Sequence, residues 1–165
     1  MIERMNVVRL LFLSGIAVLP ALGFGQAAPM RVACLGDGIA AGVGLPDPSR
    51  DAWPAQLGLL LGPTWDTRNF STSNTTVLRA GDFPVWTRPS FAAALAFLPE
   101  RVFVVLGTND SKPWNWEHGS EFVGDYTALV DTITGLQSVP QVFTCRPTPV
   151  FWDQDGISES VSGRR

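Results

Sequence analysis

The apolar run Val102-Phe103-Val104-Val105-Leu106 breaks off at Gly107 and is followed at once by Thr108-Asn109-Asp110. An earlier run, Met30 to Leu35, breaks off in the same way at Gly36 and leads into Asp37-Gly38. Short, continuous apolar runs bounded by glycine describe strands buried on both faces, as in a parallel sheet. Loops leaving the carboxyl ends of such strands are where open α/β sheets carry their chemistry.

The rest of the chain alternates with these runs. The stretch Asp37 to Asp51 contains Gly42, Gly44, Pro46 and Pro48, so no helix is expected to begin immediately after the first strand. Asp51 is expected to cap a helix with Pro54 in its first turn. The spacing of Trp53, Leu57, Leu60 and Leu61 gives that helix one buried face, and Gly62-Pro63 ends it. Trp65 to Phe70 reads as a second strand, and Ser71 to Asp82 as a polar loop. Ser90 is placed to cap a helix running through Phe97, with Phe91, Leu95 and Leu98 on one side. After the third strand, Arg101 to Leu106, Ser120 is placed to cap a longer helix to about Gln137. Phe122, Tyr126, Leu129, Val130, Ile133 and Leu136 form its apolar stripe, and Gln141 to Cys145 is a fourth strand. Strand and helix in alternation imply an α/β domain with a parallel sheet between two helical layers and right-handed crossovers.

The amino-terminal segment is of a different kind. Arg4 and Arg9 stand in a charged start, Leu10 to Leu22 is apolar, and the small residues Gly25 and Ala27 offer a cleavage site before Ala28. Residues 1–27 are therefore expected to be a signal peptide and 28–165 a single mature domain, secreted or periplasmic. The apolar stretch is shorter than the roughly 20 residues of a membrane span, so none is expected after cleavage. Losing Glu3, Arg4 and Arg9 makes the mature chain one charge more negative than the −3 of the full sequence. With no basic run, nucleic acid is not an expected partner. The two cysteines, Cys34 and Cys145, have no histidine beside them and no Cys-x-x-Cys spacing, so no metal site is expected. Nothing in the sequence implies a cofactor.

Gly36-Asp37-Gly38 and Gly107-Thr108-Asn109-Asp110 together resemble the first and third blocks of the SGNH (GDSL-type) ester hydrolases. That family has Gly-Asp-Ser in its first block, a glycine in its second, Gly-x-Asn-Asp in its third and Asp-x-x-His in its last. The resemblance covers about Arg31 to Ser160. Asn115-Trp116, and Cys145-Arg146-Pro147-Thr148-Pro149-Val150, also look like the secreted branch associated with acetylated carbohydrates. The resemblance implies a flavodoxin-like three-layer α/β/α fold with strand order 2-1-3-4. The fifth strand and final helix would be missing, as in a truncated copy. In that order the two cysteine strands are separated by a third, roughly 9–10 Å apart at ~4.8 Å per step. A disulfide needs Cα atoms within about 7 Å, so both are expected to be core thiols.

The same resemblance assigns the site. Gly38 stands at the nucleophile position, where the serine is lost, with Asp37 supporting it. In the second block, Asn69-Phe70-Ser71-Thr72-Ser73-Asn74, Ser71 replaces the glycine whose N–H is an oxyanion donor, and Asn74 replaces a second glycine. Asn109 supplies the side-chain oxyanion donor. Gly107 and Asp110 support it, Asp110 by accepting backbone N–H groups. The only histidine, His118, follows the third block and is preceded three positions earlier by Asn115, so the Asp-x-x-His block is absent. The expected partner is a small-molecule or carbohydrate ester, and the expected state is an ester hydrolase by descent that does not turn over. Two other classes compete. One is a non-catalytic sugar- or acyl-binding protein, with Trp114 and Trp116 lining a sugar-sized cleft or else covering the sheet edge. The other is a nucleotide-binding module, suggested by Gly36, Gly38 and Gly42 after a strand. Against that module stand the interruption by Pro46 and Pro48 and the absence of an acid after the second strand.

Overall fold

A computed structural model describes residues 27–148 and Ile157. The expectations for residues 1–26, and for 149–165 apart from Ile157, lie outside the described residues. Four parallel strands, β1 (Met30–Gly36), β2 (Trp65–Asn69), β3 (Arg101–Val105) and β4 (Gln141–Thr144), lie in the order β2-β1-β3-β4. This is the expected sheet.

The connections place the helices on two faces, as right-handed crossovers require. Helix α4 (Pro89–Ala96) and α6 (Phe122–Thr134) cover one face, where Phe91, Ala94, Leu129 and Ile133 pack with Ala33, Leu35, Val102 and Val104. On the other face α3 (Trp53–Leu61) brings Trp53 edge-on to Phe103 at 6.3 Å, and Phe103 stacks on Phe143 at 4.9 Å. Strand β3 is not buried on both faces. Val102 and Val104 are buried, whereas Arg101, Phe103 and Val105 are only half-buried.

Several local expectations are corrected. A helix does begin at once after β1: α1 (Gly38–Ala41) is a single turn capped by the Asp37 side chain, which accepts the Ile39 N–H at 3.0 Å. Gly42, at φ 81°, closes that turn in the left-handed region where glycine carries no steric penalty. Asp51 ends a further turn, α2 (Pro48–Asp51), instead of capping α3, whose N-cap is Ala52 with no side-chain bond. Leu60 is 85% exposed, because α3 turns its Pro54 side to the protein and Leu59 and Leu60 to solvent. Ser90 lies inside α4, where its hydroxyl pairs with that of Thr72 at 2.7 Å. Beyond the single turn α5 (Pro113–Trp116), Ser120 sits in a 3-10 turn, Gly119–Glu121, ahead of α6 and makes no cap bond. Strand β4 stops at Thr144, which leaves Cys145 half-buried while Cys34 is fully buried; both are free. Among the described residues no helix is long and apolar enough to cross a membrane.

Candidate active site

Gly38 leaves the carboxyl end of β1, and Asn109 leaves that of β3 after Gly107, whose φ of 127° turns the chain sharply out of the sheet. The two line one cleft of about 410 Å³, together with Asp37, Ser73, Asn74 and Lys112. A Cβ at position 38 would stand 3.1 Å from Ser73 Oγ and 3.5 Å from Val43 Cγ2, both residues of the cleft wall. A side chain here would stand against the cleft wall, and glycine supplies none.

The second block is arranged differently from its expected roles. The Ser71 N–H is donated to Asn69 Oδ1 at 3.0 Å, and its hydroxyl reaches back to the Cys34 carbonyl at 3.5 Å. Asn69 in turn donates to the Ala40 carbonyl at 2.9 Å, tying β2 to the turn that carries Gly38. Ser71 thus serves the scaffold, and its N–H is already committed. Of this block, Ser73 and Asn74 line the cleft, and Asn74 is held at φ 63°. Its backbone N–H has no partner among the described residues. Asparagine is one of the few side chains that tolerate this left-handed conformation, so it fits a position made for glycine.

The third block is fixed from below. Asp110 is fully buried, and its carboxylate accepts the Val77 N–H at 2.9 Å and the Leu78 N–H at 2.8 Å, the expected loop-holding role. Burial pushes its pKa up to about 6, against those two hydrogen bonds. Burial likewise raises that of Asp37, opposed by the Ile39 N–H. Asn109 donates one amide hydrogen to the Thr75 carbonyl at 3.3 Å. The Asn109 backbone carbonyl accepts Asn115 Nδ2 at 2.8 Å. Asn115, itself buried, also grips Asp82, accepting its N–H at 2.9 Å and donating to Oδ1 at 3.0 Å. The sequence singles out Asn115 only through its resemblance to the secreted branch; its bonds to Asp82 and to the Asn109 main chain were not anticipated.

Lys112 is the other residue that sequence reasoning passed over. It is 6% exposed, and its Nζ lies 3.3 Å from Asn74 Oδ1. His118 is not part of the cleft; it is half-exposed and lies 3.8 Å from Glu121. The tryptophans part company. Trp114 is 49% exposed and donates to Asp82 Oδ2 at 3.1 Å. Trp116 forms a wall of a second, apolar cleft of about 310 Å³ with Phe122, Tyr126 and Pro147. One argument against a dinucleotide loop falls, since a helical turn does follow Gly38. That turn has only four residues, and Asn69, not an acid, ends β2. Among the described residues no group of three or more His, Cys, Asp or Glu side chains is placed to hold a metal ion.

Comparison with known proteins agrees with this geometry. An acetylxylan esterase of Xylanibacter ruminicola is 34% identical over 149 residues, covering 80% of this chain and 31% of its own length. The chain thus spans about a third of that curated relative. A solved structure from Agrobacterium tumefaciens, described as an arylesterase, superposes with a TM-score of 0.61 at 21% identity, covering 81% of this chain and 74% of that one. A family two carbohydrate esterase from Clostridium thermocellum gives a TM-score of 0.59 at 16% identity, covering 78% and 45%. The model of the GDSL-like lipase/acylhydrolase family matches residues 34–165, from the end of β1 through every block discussed above, and the chain belongs to that family.

Proposed function

We propose that this chain descends from an acyl-ester hydrolase of acetylated carbohydrates and that its cleft, as written, no longer turns esters over. In such a hydrolase a serine hydroxyl attacks the ester carbonyl, a histidine takes its proton, and two or three donors stabilise the oxyanion. Here the donors persist in the Asn74 N–H and the second amide hydrogen of Asn109. The nucleophile does not, because Gly38 occupies its place. The sole histidine of the sequence, His118, stands beside Glu121 outside the cleft. Losing a triad serine costs on the order of 10⁶ in kcat in a worked hydrolase case, and losing further members adds little.

The observation that carries this reading is the shared cleft of Gly38 and Asn109, with no side chain at position 38 to act as nucleophile. The name of the acetylxylan esterase relative supports carbohydrate esters as the ancestral substrate class. Hydrolysis of aryl acetates and acetylated xylan tests it, and turnover abolished by a serine-directed inhibitor would overturn it. Residues 1–27 act in this reading as a removable export signal, and the mature domain is secreted or periplasmic. Amino-terminal sequencing of protein recovered outside the cytoplasm checks that part, with Ala28 the expected first residue.

A further inference from the structure

We propose that the cleft reversibly binds a small carboxylate, held by the Lys112 ammonium and the amide of Asn109; this rests on reading Gly38 as the place of a lost nucleophile. The argument begins with Lys112. A lysine that is 6% exposed is unusual, since burying an ammonium without a counter-charge is costly. Its hydrogen-bond partner is the neutral Asn74 Oδ1 at 3.3 Å, and it forms no ion pair among the described residues. The Trp114 ring, 5.8 Å away, is at the outer limit of a cation–π contact. The Asp82 carboxylate acts on Lys112 through space, but its hydrogen bonds go to Trp114 Nε1 and Asn115 Nδ2 and none to the ammonium.

The other charged group lining the cleft is Asp37. Its Oδ1 is engaged by the Ile39 N–H at 3.0 Å, which directs that carboxylate into α1. What faces an entering ligand is therefore a set of donors: the ammonium, the free amide hydrogen of Asn109 and the unpartnered Asn74 N–H. In an active hydrolase such donors meet negative charge only briefly. With glycine at 38 no tetrahedral intermediate forms, and the same donors suit a ligand that carries its negative charge permanently. A carboxylate would also give Lys112 a hydrogen-bonded ion pair, which it lacks among the described residues, by charge-assisted bonds stronger than neutral ones. The cleft, at about 410 Å³, has room for an acetate or for one sugar acid.

The test is titration of the full chain, followed by the backbone amide signals of Gly38 and Asn74. Sodium acetate, sodium glucuronate, neutral acetamide and sodium chloride at matched ionic strength are the probes. Saturable shifts are expected with at least one carboxylate, with acetamide weaker by about tenfold or more, the discrimination a charge-assisted bond provides. Lys112→Met should lose about the same factor, and Lys112→Arg should retain most of the affinity. Acetate alone would identify the acyl product as ligand, and glucuronate alone an acidic sugar. Carboxylates that behave as chloride does, or no better than acetamide, would overturn the proposal. If Lys112→Met does not fold, the comparison of carboxylate with acetamide on the unaltered protein decides alone. Ester turnover by the unaltered protein would defeat the reading of Gly38 while leaving a positive titration standing, so the two failures are distinguishable.

Discussion

Asp110 accepts the backbone N–H of Leu78 at 2.8 Å, and through it the third block holds the loop that carries Ser73 and Asn74. With Val77 also bound at 2.9 Å, one buried carboxylate satisfies two donors of a loop that enters the core at Thr75 to Leu78. Asp110→Ala strands both N–H groups, at about 1–3 kcal/mol for each buried unsatisfied group. We expect a loss of about 2–4 kcal/mol by urea unfolding. Asp110→Asn keeps an acceptor in place and should lose much less. Equal stability of the alanine variant and the unaltered protein would contradict this bond's role.

Asp110 also sets a pH dependence. Burial raises its pKa from the ordinary 3.8 to about 6, so folding takes up a proton between those values. A group shifted this way contributes stability that is fully present below about pH 4 and is lost as the pH rises through about 6. At ~1.4 kcal/mol per pKa unit the effect is on the order of 2–3 kcal/mol. Asp37 is raised by the same cause and adds in the same direction. Unfolding of the unaltered protein and of Asp110→Asn from pH 4 to pH 7 isolates the Asp110 share. The unaltered protein should lose stability relative to the variant as the pH rises. A constant difference between them would refute the assignment.

The two thiols should react unequally. Cys34 lies fully buried in β1, and burial, with Cys145 nearby, pushes its pKa up to about 12. Cys145 stands past the end of β4 on the wall of the apolar cleft. Since the thiolate is the reactive form, an aromatic disulfide reagent should modify Cys145 in the native protein and Cys34 only after unfolding. Rapid reaction of both thiols in the native state would contradict the packing of β1.

The sheet order and the meeting of Gly38 with Asn109 were legible in the sequence, because glycine-bounded apolar runs and the block motifs are local signals. Less legible was whatever depends on partners far along the chain. The α1 turn is fixed by the Asp37 cap and Gly42, which outweigh the prolines further on. The loop from Ser71 reads as polar, yet Thr75 and Thr76 are buried, because the loop's main chain is bonded from outside by Asp110 and Asn109. The hydrogen bonding of Ser71 and the backbone conformation of Asn74 could not be read from residue type alone. Asn69 accepts the Ser71 N–H, and Asn74 takes a left-handed φ of 63°. Leu60 shows the limit of periodicity, since a nine-residue helix with leucine at three consecutive positions leaves two of them in water.

The account turns on position 38, and ester hydrolysis by the full chain beside its Gly38→Ser variant tests it most directly. The Ser73 hydroxyl, a side-chain atom, must shift by a few tenths of an ångström to admit the new Cβ, while Val43 is already at ordinary contact distance. The variant is therefore expected to fold. With p-nitrophenyl acetate and acetylated xylan, the predicted result is no release above buffer for the unaltered protein. The serine variant should gain no normal activity either, because no histidine in this sequence faces the cleft to take the proton. Turnover by the unaltered protein, abolished by a serine-directed inhibitor, would contradict the account.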